Sequence, residues 1–382
     1  MPTSVLSVML FSVYTWGLGF SLTRLVKESE GFLERNLMRV GFGLSAFVVL
    51  GIVLNALRIP LDYRIFLLIS VAVPAYSIIF KKGYKQISKP SLKTSKLTLS
   101  NVNIIVVLLI FFASLYMYGS GAFRYPYLED DDPWGHASAA KYVSMEKTVL
   151  RPQYHGFQYM DPYPPGYDMA LGVLAQTSSS VYWTVKFFNA LLIALSLFFF
   201  YFFAKEFLGS RNKALFATFV LASVPAYLSH FIWAPVLAMA VFSQAMYAFE
   251  MIRHDRKWLF VAGVCVASVL LSHPTHAFKL SALIFIYIGV KAFSDFVSDR
   301  KSWLSQNVSH IKAVVLGAAL SLFWWGFKWK TFLAMARGGF AGGAEGSAAA
   351  IRESPNIIAK VLTLITRVFN PHSGTASRVY SL

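Results

Sequence analysis

The segment YWTVKFFNALLIALSLFFFYFFA occupies residues 182–204 and carries one charged side chain, Lys186. As a helix, a segment of this length spans about 35 Å, which is enough to cross the roughly 30 Å apolar core of a bilayer. Apolar blocks of similar length recur along the chain, and we count about ten of them as predicted membrane spans. The predicted spans are 4–22, 40–57, 63–80, 102–120, 182–204, 214–231, 233–251, 258–272, 277–294 and 311–328.

The composition predicts an all-α, polytopic transmembrane helical bundle. Of the 382 residues, 56% are hydrophobic and 14% are charged, whereas soluble domains carry about 25% charged residues. An ordinary soluble domain is thereby excluded. The formal net charge is +17, but the lysines gather in short loops, which indicates membrane topology and not nucleic-acid binding. Cys265 is the single cysteine, so the chain has no intrachain disulfide and no zinc-type Cys/His spacing.

The orientation of the chain follows from the loop between the third and fourth predicted spans. This loop has no acid between residues 81 and 101, and its lysines are Lys81, Lys82, Lys85, Lys89, Lys93 and Lys96. A basic loop of this kind predicts a cytoplasmic location. The segment 121–181 is then an acidic extracytoplasmic loop, within which we expect 166–181 to be an interfacial helix.

Three parts are predicted along the chain. Residues 1–100 form a three-span extension with the basic cytoplasmic loop, and residues 101–330 form the transmembrane core with the acidic loop 121–181. Residues 331–382 form a glycine-rich, basic outer tail. Because this tail ends without a further span, we expect a truncated protein or a missing partner subunit.

The most informative polar stretch is EDDDPWGH, residues 129–136, which directly follows an apolar segment. Ionised carboxylates are costly near hydrocarbon, so four consecutive acids there indicate a functional site. Asp132 followed by Pro133 predicts a helix over residues 133–147 with Asp132 as its N-cap. Adjacent carboxylates repel each other, so we expect a raised pKa for at least one of them.

Two roles are open for these acids beyond capping. In the first, Asp132 is a general base on an acceptor hydroxyl or amide, and Asp131 assists it. In the second, Asp130 and Asp132 hold a divalent cation, Mg²⁺ or Mn²⁺, through oxygen ligands shared with a phosphate. His136 lies one helical turn after Asp132, where it either orients that carboxylate, relays a proton or is a polar surface residue.

The stretch DPYPPGYD, residues 161–168, predicts a rigid, extended turn that leads into a helix after Gly166. One interpretation is that the prolines only stiffen the loop. The other is that Asp161 and Tyr163 bind a sugar, with hydroxyl groups on the carboxylate and an apolar ring face on the tyrosine.

Two further polar segments are candidate ligand sites. His273 and His276 lie three residues apart in SHPTH, where they either bind metal, donate to a phosphate or form a plain polar turn. Arg337 and Arg352 flank a glycine-rich segment, which is either a linker or a loop that closes over a phosphorylated ligand.

These motifs are similar to those of a known superfamily. Asp132-Pro133-Trp134 resembles the Asp-Pro-Trp motif of the catalytic subunit of oligosaccharyltransferase, and Asp161 with Tyr163-Pro164-Pro165-Gly166 resembles the turn that follows it. Asp131-Asp132 is similar to the paired acids of protein mannosyltransferases and of lipid A aminoarabinose transferases. Over residues 102–330 the chain therefore resembles the GT-C superfamily of polyprenyl-phosphate-dependent glycosyltransferases.

The resemblance implies an integral enzyme of the cell membrane that takes a sugar from a polyprenyl-phosphate donor at the extracytoplasmic face. It implies that Asp132, with Asp131 second, acts on a protein or glycan acceptor or helps to hold a metal. The Trp-Trp-Asp motif that reads glycosylation sequons is absent, since Gly326 follows Trp324-Trp325, which leaves the acceptor open. The rival hypotheses are a transporter or flippase for lipid-linked sugars and a non-catalytic subunit. Transporters place charges within broken spans, so acids in a loop favour an enzyme.

Overall fold

The computed structural model describes residues 3–80, 99–150, 160, 163–224, 230–298, 300 and 303–330. Within these ranges all regular structure is helical, which confirms the predicted all-α class. The helices are α1 Thr3–Thr23, α2 Phe32–Ala56, α3 Tyr63–Phe80, α4 Leu99–Arg124, α5 Asp131–Glu146, α6 Gly166–Ala175, α7 Val181–Leu208, α8 Arg211–Ser223, α9 Pro235–Met251, α10 Trp258–Leu270, α11 Pro274–Ser298 and α12 Trp303–Trp325.

The chain divides into two compact units, Met1–Trp324 and Trp325–Leu382. The first unit holds the described helices up to Trp324. In the second unit the described residues are 325–330, where the backbone N–H of Lys328 donates to the carbonyl of Trp325 at 3.1 Å. The three-part division of the chain expected from the sequence stays a prediction.

Six described helical segments are long and apolar enough to cross a membrane, which indicates a membrane protein. These segments are Ser4–Thr23, Phe32–Ala56, Val102–Arg124, Val181–Leu208, Pro274–Ser298 and Asn307–Trp325. The predicted number of about ten spans is therefore not confirmed.

The remaining predicted spans fall on shorter helices. Helix α8 has 13 residues because Ser210 caps its start and the backbone becomes extended at Val224. Helix α9 has 17 residues, α10 has 13 and α3 has 18. A 13-residue helix rises only about 20 Å, which is less than the thickness of a bilayer core. An apolar run in the sequence thus does not guarantee a full crossing.

Glycines allow the first two helices to pack closely. A Cβ added to Gly43 of α2 would overlap the carbonyl oxygen of Thr15 in α1, and a Cβ added to Gly19 would overlap the carbonyl oxygen of Arg39. Lipid tails are as apolar as the helix surfaces, so helices in membranes associate through close van der Waals packing at small residues. The pair α1–α2 uses this mode.

Helices α2, α7, α9 and α10 form the centre of the first unit. Helix α2 contacts α1, α6, α7, α9 and α10, and α7 contacts α4, α8 and α9. Most of the apolar stretch of α7 is buried inside the protein, whereas less than a quarter of the apolar stretch of α4 or of α11 is buried. We therefore expect α4 and α11 to contact lipid.

A buried charged cluster connects three of the central helices. The carboxylate of Glu34 in α2 is 6% exposed, accepts from Lys205 Nζ in α7 at 2.5 Å, and accepts from the Tyr247 hydroxyl in α9 at 3.1 Å. An uncompensated buried charge costs several kcal/mol, so the three partners require each other. Their pairing fixes the relative register of α2, α7 and α9 at this end.

The short helices α5 and α6 lie against each other, and α6 also contacts α1, α2 and α7. All residues of α6 from Gly166 to Ala175 are buried by protein. Its position relative to the membrane surface stays a prediction, as does the predicted interfacial role of 166–181. The C-terminal end of α5 is held by the loop after α2: Lys147 Nζ pairs with Asp62 at 2.5 Å, and Asn55 accepts from Thr148 and Val149.

Candidate functional site

The acidic run begins α5, but the N-cap lies two residues earlier than the sequence predicted. The N-cap is Asp130, whose side chain accepts from the backbone N–H of Asp131 at 2.8 Å. Asp131 in turn accepts from the N–H of Asp132 at 2.9 Å. The prediction of Asp132 as N-cap is thus wrong, because the carboxylate of Asp130 satisfies the first backbone donor before Pro133 is reached. Asp132 lies inside the first turn with its carboxylate not engaged in the cap.

Asp132 differs from its acidic neighbours in burial. Asp130 and Asp131 are exposed, whereas Asp132 is half-buried. Burial raises the pKa of the Asp132 carboxyl, and the negative charges of Asp131 and Asp130 raise it further, while His136 partly offsets them. A carboxyl with a raised pKa is a better proton acceptor near neutral pH than an ordinary aspartate. Of the acids in the run, Asp132 has the environment of a general base.

His136 forms a buried hydrogen bond with Asp168. Its Nδ1 lies 2.7 Å from Asp168 Oδ1, and its Nε2 accepts from the backbone N–H of Ala234 at 3.2 Å. Because Nε2 is an acceptor, the neutral ring carries its hydrogen on Nδ1 and donates it to Asp168 Oδ1. Burial raises the pKa of Asp168, and the bond to His136 opposes that rise. The ring therefore connects α5, α6 and the start of α9. His136 is buried, so the alternative of a polar surface residue is wrong, and its predicted role beside Asp132 stays a prediction.

Tyr167, the residue before Asp168, begins a second chain of hydrogen bonds, which also reaches residues 230–234. The hydroxyl of Tyr167 donates to Asn189 Oδ1 at 2.8 Å, and the Asn189 amide donates to the carbonyl of Phe231 at 3.0 Å. Tyr167 and Asn189 are fully buried, so both bonds are shielded from water. Asp168 is thus linked through His136 to Ala234, and Tyr167 is linked through Asn189 to Phe231.

The turn 163–166 joins the acidic helix to the histidine segment. The backbone N–H of Gly166 donates to the carbonyl of Leu271 at 3.0 Å, and a Cβ at Gly166 would overlap that oxygen. Only glycine permits this approach. The Tyr163 ring lies 5.5 Å from the ring of His273, and its pKa is raised by burial and by the charge of Asp132. Tyr163 is therefore near both Asp132 and His273.

His273 and His276 are in contact at the start of α11. Their ring centroids are 5.0 Å apart, and the backbone N–H of His276 donates to Nδ1 of His273 at 3.3 Å. With Pro274 as the first helical residue, His273 caps the helix. Burial, the neighbouring His276 and His136, and the charge of Lys279 lower the pKa of His273 to about 3. His273 is thus neutral at physiological pH.

Residues 230–234, which the hydrogen bonds of His136 and Asn189 hold, form another wall of the site. His230 Nε2 pairs with Glu129 at 2.8 Å, so the first acid of the run is engaged with this wall. The Trp233 ring lies 6.0 Å from the ring of His276. The acidic run, Tyr163, the histidine pair and Trp233 therefore line one end of the helical bundle.

The predicted divalent cation has no preformed cage among the described residues. No group of three His, Cys, Asp or Glu side chains there is arranged to hold a metal ion. The carboxylates of Asp130 and Asp131 already accept from backbone N–H groups. The carboxylates therefore do not form the oxygen-rich site that Mg²⁺ or Mn²⁺ requires by themselves. The metal stays a prediction.

Comparison with known proteins gave no relative. The chain matches no family model, no curated protein and no solved structure. The likeness to the GT-C superfamily therefore rests on the short motifs around Asp132 and Tyr163. Membership of that superfamily stays a prediction.

The candidate residues from the sequence divide into two groups. Asp130, Asp131, Asp132, His136, Tyr163, His273 and His276 lie at the same end of the bundle. Asp161, Arg337 and Arg352 lie outside the described residues. The sequence reasoning missed Asp168, His230 and Trp233 as members of the site. Their membership depends on packing between distant segments, since Asp168 lies in α6 and the other two lie in residues 230–234.

Proposed function

We propose that the protein is a membrane glycosyltransferase that moves a sugar from a polyprenyl-phosphate donor to an acceptor at the extracytoplasmic face of the cell membrane. The observation that carries the proposal is the environment of Asp132. This carboxyl is half-buried, has a raised pKa, and lies beside Tyr163 at the end of a bundle of apolar helices. Such a group suits proton abstraction from an acceptor that reaches the membrane surface.

The reaction follows from these positions. Asp132 removes the proton from an acceptor hydroxyl or amide as that atom attacks the anomeric carbon of the sugar. The bond between the anomeric carbon and the phosphate oxygen breaks, and the phosphate leaves with the electron pair. Asp131 assists by keeping the pKa of Asp132 high, and the Tyr163 ring supports the sugar. The acceptor is a protein or a glycan, and a partner subunit can present it.

A transfer assay tests this function. The purified protein is incubated with a labelled polyprenyl-phosphate sugar and candidate acceptors, and Asp132→Asn is compared with the wild type. We expect Asp132→Asn to lose about 10²- to 10⁴-fold in rate, the range typical of a lost general base. Glu146→Gln is the matched control, since Glu146 is an exposed acid in the last turn of the same helix. Equal rates for Asp132→Asn and wild type would remove Asp132 from the mechanism.

Metal dependence is measured in the same assay. Removal of divalent cations with a chelator, followed by addition of Mg²⁺ or Mn²⁺, separates a metal-dependent reaction from one that Asp132 catalyses as a base. If the wild type transfers no sugar to any acceptor but moves the labelled lipid across vesicles, the flippase hypothesis replaces the enzyme.

Topology is tested by thiol labelling. The native Cys265 is fully buried, so an added cysteine gives the signal against a low background. Met145 of α5 is 63% exposed, which makes Met145→Cys a suitable reporter. We expect a membrane-impermeant thiol reagent to label it from the outside of intact cells. Labelling only after the membrane is opened would contradict the extracytoplasmic site.

A further inference from the structure

A group of hydrogen-bond donors lies close to Tyr163, at the same end of the bundle as the acids. It consists of Trp233, His273, His276 and Lys279, which we call the donor cluster. The rings of Trp233 and His276 are 6.0 Å apart, and those of His276 and His273 are 5.0 Å apart. Lys279 follows His276 by three residues in α11, and residues with this spacing share one face of a helix.

The indole N–H of Trp233 lacks a partner. Nε1 is buried and makes no hydrogen bond to any acceptor in the part of the chain that the structure describes. A buried donor without an acceptor costs about 1–3 kcal/mol, so such groups are rare unless a ligand or solvent serves them. Trp233 therefore calls for an acceptor beside His276.

Lys279 lacks a counter-charge. Within the described residues it has neither a salt bridge nor a hydrogen bond, although it is half-buried. The other buried or half-buried lysines of the described long helices are matched: Lys186 donates to the carbonyl of Tyr125, Lys205 pairs with Glu34, and Lys291 pairs with Glu250. The unmatched ammonium of Lys279 thus stands out as a site for an anion.

His273 contributes a donor without a charge. Its Nδ1 accepts from the backbone N–H of His276, so the neutral ring carries its hydrogen on Nε2. The low pKa of His273 keeps the ring in this neutral form. The donor cluster thus combines one cation with neutral N–H groups, a mixture that suits a phosphate.

An exposed apolar stripe continues from Lys279 along α11. The side chains that follow at alternating intervals of four and three residues are Leu283, Ile286, Val290, Phe293 and Val297, and each is at least one third exposed. Residues with this spacing lie on one face of a helix. A ligand with a phosphate at Lys279 therefore has room for a long apolar tail against α11.

We propose that the donor cluster binds the phosphate group of an isoprenoid phosphate, whose tail lies along the exposed stripe of α11. This inference rests on the proposed function, because it assigns the phosphate of the sugar donor to Lys279 and Trp233. It assigns the leaving group to the donor cluster and the base to Asp132, with Tyr163 near both. The same chemistry would bind the phosphate headgroup of an ordinary membrane lipid, and the experiment separates the two sources.

The experiment measures binding without any transfer. The purified full chain in detergent is titrated with farnesyl phosphate, with farnesol as the uncharged comparison. We expect Lys279→Gln to weaken binding of farnesyl phosphate about tenfold, the loss of one charge-assisted bond, and Lys279→Arg to retain it within about threefold. Trp233→Phe keeps the ring but removes the N–H, and we expect a severalfold loss. Lys312→Gln is the matched control, since Lys312 is an exposed lysine of α12.

Competition identifies the source of the phosphate. Displacement by dodecaprenyl phosphate but not by phosphatidylglycerol or inorganic phosphate at equal concentration supports the isoprenoid ligand. Equal displacement by phosphatidylglycerol would overturn the isoprenoid assignment and give the site to membrane headgroups. Equal binding of farnesol, or unchanged binding in both Lys279→Gln and Trp233→Phe, would overturn the phosphate site altogether. Thermal unfolding checks that each variant is folded. If Lys279→Gln does not fold, the binding of farnesyl phosphate by Trp233→Phe tests the phosphate site.

The binding result is independent of the transfer assay. Phosphate binding that depends on Lys279, with no transfer to any acceptor, would contradict the proposed function and leave the phosphate site standing. Normal transfer by Lys279→Gln and Trp233→Phe with unchanged phosphate binding would contradict the phosphate site and leave glycosyl transfer standing.

Discussion

His136 and Asp168 form a buried hydrogen bond, with 2.7 Å between Nδ1 and Oδ1, that joins α5 to α6. The second ring nitrogen of His136 accepts from the N–H of Ala234, so one imidazole determines how three segments meet beside Asp132. Both side chains are almost completely buried. The most buried acid of the site is therefore part of its scaffold, and the half-buried Asp132 is left for chemistry.

Removal of the acceptor for His136 should destabilise the protein. In Asp168→Ala the Nδ1 hydrogen of His136 loses its partner in a buried place, and we expect a loss of about 1–3 kcal/mol in the free energy of unfolding. Asp168→Asn keeps an acceptor oxygen and should lose less. The measurement is unfolding in mixed micelles, with the exposed Asp131→Ala as the control. If Asp168→Ala loses no more unfolding free energy than Asp131→Ala, the hydrogen bond between His136 and Asp168 does not stabilise the protein.

The close approach at Gly166 gives a steric prediction. In Gly166→Ala the new methyl group meets the carbonyl oxygen of Leu271, and overpacking of this kind costs about 1–3 kcal/mol or more. Gly119 of α4 is the matched control, because nothing lies within 4 Å of a Cβ there. We expect Gly119→Ala to be neutral or to stabilise by up to about 1 kcal/mol through its helix propensity. Thermal unfolding compares the two variants, and equal midpoints would exclude the contact.

The low pKa of His273 predicts a pH-dependent stability. The unfolded chain binds a proton on this imidazole near pH 6.5, but the folded chain does so only near pH 3. The stability that depends on neutral His273 is therefore complete above pH 6.5 and is lost as the pH falls from 6.5 towards 3. Between pH 7 and pH 5 we expect the wild type to lose about 2 kcal/mol more than His273→Asn, in which asparagine preserves the cap.

The control for this comparison is the wild-type curve above about pH 8, where His273 is neutral in both states and the two proteins should differ by a constant amount. Unfolding in mixed micelles at each pH supplies the free energies. Parallel curves for wild type and His273→Asn down to pH 5 would show that the ring is solvated in the folded protein.

The charge of Asp131 predicts a shift in the pH profile of transfer. Burial is the main cause of the raised pKa of Asp132, and the carboxylate of Asp131 is the next. Since a base works only when ionised, activity should fall at low pH through the pKa of Asp132. In Asp131→Asn the repelling charge is gone, so we expect the acidic limb of kcat/KM to move to lower pH. Glu146→Gln should leave the limb in place, and an unmoved limb in Asp131→Asn would separate Asp131 from Asp132.

Parts of the candidate site were predictable because they follow local rules. The composition of a few consecutive residues indicates the acidic run, the rigid turn at Tyr163 and the histidine pair. The pairing of His136 with Asp168 was not predictable, since 32 residues separate them and their contact depends on how α5 packs on α6. The single signal for Lys279 was its spacing of three residues from His276, and its lack of a counter-charge becomes visible only in the fold.

By itself, the sequence determined that this is an all-helical protein with long apolar helices, because the bilayer requires internally satisfied backbone hydrogen bonds and a minimum length of apolar residues. It also determined that a polar, acidic segment follows α4. The tertiary structure decided how long each described apolar helix is and which carboxylate caps α5. It also decided which side chains meet around Tyr163. These outcomes depend on packing between distant segments, where burial and pairing set the state of each ionisable group, and no local pattern encodes them.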